Sequence, residues 1–267
     1  MALGLGCSTI LYGGFGVRTA LERIAARGYT ATELCAIPGM APHIDADMLK
    51  AEIVAVKAIL DETGLAVESI GGSGNVGDAD RFRRLLDVAA AIGAPAVTTG
   101  PPGRTGSEEE FADAVRSLTT LGEHAKSVGV RISVKAHVGA SVDNTPTALR
   151  LMGEVDAAAI GINWDPSHLW RAVPQEDVLE SLRALKPHIA TLRIRDCLSR
   201  DIPIGPVSTQ VPGGGVMPLA ELAAEMNTMT DRTHAVVEIV GTSGMALADV
   251  DKVVEDTHAG LASYFAS

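Results

Sequence analysis

Residues 131–165 read RISVKAHVGASVDNTPTALRLMGEVDAAAIGINWD and hold one full repeat of the pattern that decides the fold. An apolar run, Arg131 to Ala136, reads as a strand. Thr145 followed by Pro146 reads as a helix cap and first helical residue. A second apolar run, Ala159 to Trp164, reads as the next strand. Two buried strands joined through a helix pair in parallel, because a crossover brings the chain back to the same end of the sheet. Both strands end on polar side chains, Lys135-Ala136-His137 in one and Asn163-Trp164-Asp165 in the other.

The same unit recurs in both directions. Upstream, strands are expected at Leu5–Ile10, Ala31–Cys35, Ala66–Ile70 and Ala96–Thr99. They alternate with helices at Val17–Arg27, from an Asp45 cap to about Thr63, at Asp80–Ile92, and from Ser107 to Val128. Gly28, Gly64 and Gly93 close the first three of these helices, as C-terminal glycines do. Ser107 with Glu110 three residues on has the capping-box pattern. Downstream come a helix at Gln175–Ala184, a strand at Ala190–Ile194, a helix at Pro218–Met226, a strand at Ala235–Ile239 and a last helix ending near Tyr264. Eight units in 267 residues, about 33 each, favour closure into a single (β/α)8 TIM barrel over an open sheet. No linker divides residues 1–267. The strands read as continuous apolar runs, as a sheet covered on both faces requires.

Composition narrows the function. Apolar residues are 46% of the chain, enough for a large core, but aromatic residues are only 3%, so binding by ring stacking is not expected to dominate. The net charge is −11, with 22 basic against 33 acidic residues; such a surface repels nucleic acid. The apolar start, MALGLGCSTILY, has no positive residue and is too short for a signal peptide, and no apolar run is long enough to span a membrane. Cys7, Cys35 and Cys197 are odd in number and widely spaced, which suits a reduced cytoplasmic protein without disulfides.

Ionisable residues gather at the ends of the later strands: Lys135 and His137, Asp165 and His168, Arg193, Arg195 and Asp196, then Glu238. In a barrel these ends form the mouth where active sites lie. Glu33 on the second strand reads as more structural than catalytic, and Asp196 as orienting a neighbour. Cys7 and Cys197 lack a base and are not expected to act as nucleophiles. His43 and His188 read as solvated. Residues 72–77, GSGNVG, match a dinucleotide-binding pattern, but no acidic residue ends the next strand, so the segment reads as an ordinary loop. Leu198 to Met217, with three prolines and four glycines, is a long loop on the active-site face; its Gly213-Gly214-Gly215 reads as a hinge, or less readily as a phosphate cradle.

The stretches GYTATELC, NWDPSHL, LRIRDC, PGGG and AVVEI, in this order, resemble the xylose-isomerase-like barrels, also described as sugar phosphate isomerases/epimerases, over nearly the whole chain. The resemblance implies a divalent metal held by Glu, Asp, His and Glu on strands five to eight. Asp165 and Glu238 match the Asp and the last Glu. Lys135 falls where the first Glu stands, and Arg193 where the His stands, in Arg193-Ile194-Arg195-Asp196. Lys135, Asp165, Arg193 and Glu238 carry no net charge without a metal, so the expected function is metal-independent, with no cofactor. If Mn or Mg is held, Asp165 and Glu238 are its ligands; an atypical site using His137 or His168 and a catalytically dead barrel remain open.

The chemistry implied is movement of a proton next to a carbonyl of a small keto-sugar or hydroxy-keto acid. Lys135 and Arg193 are expected to stabilise oxyanions. Asp165 and Glu238 would shuttle protons if their pKa values are raised, while His137, His168, Arg195, Asp196 and Glu33 would contact substrate. Lys135 could instead form a Schiff base. A dehydratase or decarboxylase, and a non-catalytic binding barrel, are the alternatives. An abasic-site endonuclease, also found among such barrels, is rejected on the acidic charge and missing ligands. A homodimer is a possible assembly.

Overall fold

The computed structural model describes residues 2–73, 76–201 and 203–266. Of the loop at 72–77, residues 74 and 75 lie outside this set, as does residue 202 of the loop at 198–217. The described residues begin with strand β1 (Gly4–Ser8), helix α1 (Val17–Ala25) and strand β2 (Ala31–Ile37), which folds back on a two-residue strand β3 (Ala41–Pro42). Helix α2 (Lys50–Thr63), strand β4 (Ala66–Gly71), helix α3 (Ala79–Ile92), strand β5 (Ala96–Thr99) and helix α4 (Glu108–Ser127) follow. The second half contains β6 (Arg131–Lys135), α5 (Thr145–Glu154), β7 (Ile160–Trp164), α6 (Pro166–Trp170), α7 (Val178–Leu185), β8 (Ile189–Ile194), α8 (Leu219–Met226), β9 (His234–Val237) and α9 (Leu247–Leu261). All strands except β3 pair in parallel in the order β1-β9-β8-β7-β6-β5-β4-β2, and β1 also pairs with β2. Gly6 therefore lies opposite both Val236 and Ala31, and the barrel is closed.

The helices form because their apolar residues recur at helical spacing and meet the outer face of the sheet. In α4, Phe111, Ala114, Leu118, Leu121 and Ala125 are buried, each three or four positions from the next. Glu108, Glu109 and Glu110 lie at its positive N-terminal end and Lys126 at the other. The Ser107 cap forms, its Oγ accepting from the Glu110 amide at 3.3 Å. The Glu110 carboxylate does not close the box; it accepts from the backbone and guanidinium of Arg104.

Three helix starts differ from expectation. Asp45 does not cap α2, which begins at Lys50; its carboxylate takes the Asp47 amide and the Arg81 guanidinium. Asn144, not Thr145, caps α5, with Oδ1 accepting from the Thr147 amide at 2.9 Å. Asp177 caps α7, which starts at Val178. His43 is half-buried, with Nε2 at 2.9 Å from the Phe15 carbonyl, and is not a solvated side chain.

The barrel interior departs most from the apolar expectation. Hydrogen bonds cross it between polar side chains of non-neighbouring strands. Thr98 Oγ1 donates to Glu33 at 2.9 Å, and the hydroxyls of Ser133 and Thr191 meet at 2.7 Å. Apolar side chains pack under the helices, while hydroxyl and charged side chains meet inside the barrel. A register shift between β2 and β4 takes Thr32 to Val67 but Glu33 to Ser69, leaving Glu68 over as a bulge. Glu68 and Ser69 both then reach an arginine on β8.

Candidate active site

A cavity of about 350 Å3 opens at the C-terminal ends of the strands. Lys135, His137, His168, Arg171, Arg195 and Glu238 form its polar wall, and Ile10, Ile37, Met40 and Ile204 line its apolar side. The volume suits a small molecule.

Lys135, the last residue of β6, anchors the wall. Its ammonium donates to both oxygens of Glu238, at 2.6 and 2.8 Å, and lies 3.3 Å from Asp165 Oδ2. Glu238 stands one residue beyond β9. Asp165 caps the short helix α6: its Oδ1 accepts the amide and hydroxyl of Ser167 at 3.0 and 2.8 Å. Its Oδ2 accepts from Arg195 Nη2 at 2.8 Å. Burial pushes both carboxyl groups up, but neighbouring cations win. Arg195 and Lys135 hold Asp165 well below the usual range, and Lys135, Arg195 and Arg193 hold Glu238 below its own. The raised pKa values that proton shuttling by these two acids requires are therefore not met. A Schiff base needs a lone pair on Nζ, whereas this ammonium is engaged by two carboxylates.

Arg193 does not reach the cavity. It is fully buried in the axis, pairing with Glu33, with Glu68 at 3.2 Å and with Glu238 Oε2 at 3.1 Å. Burial opposes its charge, but these three carboxylates together hold it ionised. Glu33 accepts from Ser8 Oγ at 2.7 Å and from Thr98 as well, and is not part of the cavity wall. Glu33 and Arg193 thus form the floor beneath the site and do not face substrate. Asp196 also leaves the wall: it accepts the amides of Cys197, Gly213 and Met217 at 2.9 to 3.0 Å and ties the long loop to β8.

That loop is closely packed at Gly214 and Gly215, whereas Gly213 stands in open space. A Cβ on Gly215 would lie 2.3 Å from Asp196 Oδ1 and 2.6 Å from the Cys197 backbone. Buried Gln210 links it to Val240 through both ends of its side-chain amide. Arg200 lies 3.3 Å over the Trp170 ring, and Ile204 reaches the cavity.

His137 and His168 stack at the mouth with ring centroids 4.1 Å apart. Their neighbours fix opposite tautomers. The Val138 carbonyl, which can only accept, lies 2.9 Å from His137 Nδ1, so that nitrogen carries the hydrogen and Nε2 keeps its lone pair. Arg171, which can only donate, lies 3.3 Å from His168 Nδ1, so there the hydrogen is on Nε2. Desolvation, aided by Lys135, lowers both pKa values, strongly for buried His168 and less for the more exposed His137, so both rings are neutral at pH 7.

Sequence reasoning missed Arg171 and Glu68. Asp165, His168 and Arg171 recur every three residues from the N-cap of α6 to its C-cap, which was the available signal. Glu68 is a charge inside an apolar run, AVESIG, and interiors admit such a residue only with a partner.

A divalent ion does not fit this arrangement. Among the described residues no three His, Cys, Asp or Glu side chains converge as a ligand set. The two matching carboxylates, Asp165 and Glu238, are bridged by the Lys135 ammonium, which stands where an ion would have to sit.

Comparison with solved structures returns the same architecture. The probable 3-DHS dehydratase AsbF involved in petrobactin synthesis from Bacillus anthracis superposes with a TM-score of 0.77 at 17% identity, covering 96% of this chain and 98% of the other. D-allulose 3-epimerase from Methylomonas sp. gives 0.77 at 15% identity, over 99% and 98% of the two chains. The IOLI protein, with a binding zinc atom, gives 0.77 at 16%, over 99% and 100%. No curated protein matches the sequence. A family model described as "Xylose isomerase-like TIM barrel" matches residues 21–262, and with the closed eight-stranded barrel this assigns the chain to that family.

Proposed function

We propose that this barrel is an enzyme of isomerase or epimerase type that moves a proton next to the carbonyl of a small hydroxy-carbonyl compound without a divalent metal. The observation that carries the reading is the Lys135 ammonium between Glu238 and Asp165, at the wall of a cavity whose two histidines present one lone pair and one N–H. His137 Nε2 removes the proton from the carbon next to the carbonyl. The C–H electron pair becomes a carbon–carbon double bond, and the carbonyl oxygen takes up negative charge. Lys135 stabilises that oxygen, and His168 Nε2–H protonates it. The proton on His137 then goes to the former carbonyl carbon while the neighbouring hydroxyl gives its proton to His168, which yields the isomer; the epimer forms when the enol O–H proton returns to His168 and a solvent proton reaches the opposite face of the original carbon, His137 releasing its own proton to solvent. Asp165 and Glu238 stay ionised and hold Lys135 in place. An elimination would begin with the same proton removal.

The test is exchange in D2O. Small hydroxy-ketones and hydroxy-aldehydes are incubated with the protein and a chelator, and solvent deuterium entering carbon is followed by NMR. The reading expects exchange that the chelator leaves unchanged and that Lys135→Ala slows at least about 100-fold. Exchange that appears only on adding a divalent ion, or none with any compound, overturns it.

A further inference from the structure

We infer that the N-terminal end of the barrel, opposite the candidate active site, binds a small oxyanion between Arg131 and Arg232. A second cavity of about 310 Å3 opens there and shares no lining residue with the one at the mouth. Arg131 opens β6, His234 opens β9, and Arg232, Asp231 and Glu68 complete the polar lining. Backbone carbonyls hold both guanidinium groups in place. Arg131 Nη2 donates to the carbonyls of Ala157 and Ile160 at 2.7 and 3.1 Å, and Arg232 Nε donates to Ile189 at 2.9 Å. Gly161 makes room for the first of them: a Cβ there would lie 2.9 Å from Arg131 Cζ and Nη2. Arg131 Nε is sealed and takes no part in binding. Its Nη1 has no acceptor among the described residues and is open to solvent, so a ligand can reach it.

Formal charge on this lining sums to zero, two arginines against Asp231 and Glu68, with His234 neutral at pH 7 because burial lowers its pKa. Placement, not net charge, therefore selects the ligand. Glu68 already accepts from Arg193 at 3.2 Å and from Ser69 Oγ at 2.6 Å. Asp231 lies 3.4 Å from Arg232 Nη1 and is 71% exposed, so water screens that pair. Arg131 has no ion pair among the described residues. Burial opposes its charge most and repulsion from Arg232 comes next, with Asp231 offsetting them in part. An oxyanion seated between the two guanidinium groups would accept from Arg131 Nη1 and from the unused N–H groups of Arg232, and would relieve their repulsion. A neutral ligand would leave that repulsion in place.

The test follows backbone amides by NMR, which reads the place of binding directly and does not depend on the proposed reaction. Inorganic phosphate, acetate and acetamide, the neutral counterpart of acetate, are each titrated at constant ionic strength made up with chloride. Phosphate, acetate or both are expected to shift the amides of Val67, Thr233 and His234 saturably, at least about tenfold more tightly than acetamide, the lower end for one charge-assisted hydrogen bond. Whichever anion binds more tightly shows whether the site prefers a tetrahedral or a planar group. Arg131→Gln is expected to weaken binding about 10- to 100-fold, and its melting curve checks that it folds. Asp231→Asn, a change at an exposed side chain, removes the competing carboxylate and is expected to tighten binding about two- to fivefold; it decides the matter if Arg131→Gln does not fold. No saturable shift at these amides with either anion at millimolar concentration, shifts confined to the mouth, acetamide binding as well as the anions, wild-type affinity in a folded Arg131→Gln variant, or no tightening in Asp231→Asn would each overturn the inference.

Discussion

The ammonium of Lys135 touches both carboxylate oxygens of Glu238, 103 positions away in the chain, at 2.6 and 2.8 Å. Both side chains are about nine-tenths buried, so water compensates either of them poorly. Lys135→Ala would therefore leave Glu238 to Arg193 and Asp165 to Arg195, with no cation between the two carboxylates. The expected loss of stability is about 3–5 kcal/mol, the usual cost of removing one partner of a buried pair. Chemical denaturation checks it. A loss under about 1 kcal/mol, the ceiling for an exposed pair, would mean that water screens the site.

Lys135→Glu should turn the site toward cation binding. It places a third carboxylate beside Asp165 and Glu238, the charge type that hard divalent ions require. The expected outcome is a saturable rise in melting temperature on adding Mn2+, seen in the variant and not in the wild type. An equal rise in both proteins would show that the Lys135 ammonium does not bar an ion.

Arg193 supports three buried carboxylates at once. Arg193→Met is expected to cost about 3–5 kcal/mol or more. Pairing it with Glu33→Gln removes one of the stranded charges and should recover part of that loss. A double-mutant cycle in urea measures the recovery. Strict additivity would show that Glu33 and Arg193 are not coupled.

Acid should weaken the fold before the carboxylates titrate. Buried His168 is neutral in the folded protein, with its pKa well below the ordinary 6.5, because burial and the charges of Lys135 and Arg195 outweigh Asp165. Below 6.5 the unfolded chain takes up a proton that the folded chain refuses, so stability falls as pH drops from there, by at most about 1.4 kcal/mol per pH unit for one group. Asp165 has the opposite kind of shift for its type: its contribution is full above 3.8 and is lost only as pH falls through its depressed folded value. Melting curves between about pH 7 and pH 5 should fall more steeply for the wild type than for His168→Gln. Parallel curves would rule out His168 as the source.

Gly215→Ala tests the loop. The added methyl would collide with Asp196 and the Cys197 backbone, which cannot swing aside. We expect a destabilisation of about 1–3 kcal/mol, as for other overpacked positions, together with faster proteolysis between residues 198 and 217. An unchanged cleavage rate would mean that Asp196 is not the latch.

The succession of strands and helices was legible because Gly28, Gly64 and Gly93 punctuate it and the apolar periods change cleanly between them. The depth of each side chain was not. Arg193 lies in β8 and Arg195 one residue beyond its end, and that advance of about 6.6 Å for extended chain separates a floor residue from a wall residue. Their strand-end position alone made them look equivalent. Helix α6 was hidden because five residues directly after a strand look like loop, and with it went the reason that Arg171 joins His168. Glu68 escaped because only the bulge beside Thr32 turns it inward. The opposite tautomers of His137 and His168 depend on a carbonyl and a guanidinium at their ring nitrogens, which no spacing reveals.

The mutual cancellation of charge along the barrel axis also constrains how such a protein can change. Altering any one of Lys135, Asp165, Arg193 or Glu238 removes a partner from a largely buried counter-charge. A lineage passing between an ion-bearing interior and this one would have to exchange residues in matched pairs, or cross a poorly folding intermediate. The ammonium at position 135 is thus harder to undo than to keep, and the chemistry of the site is tied to the solvency of its own core.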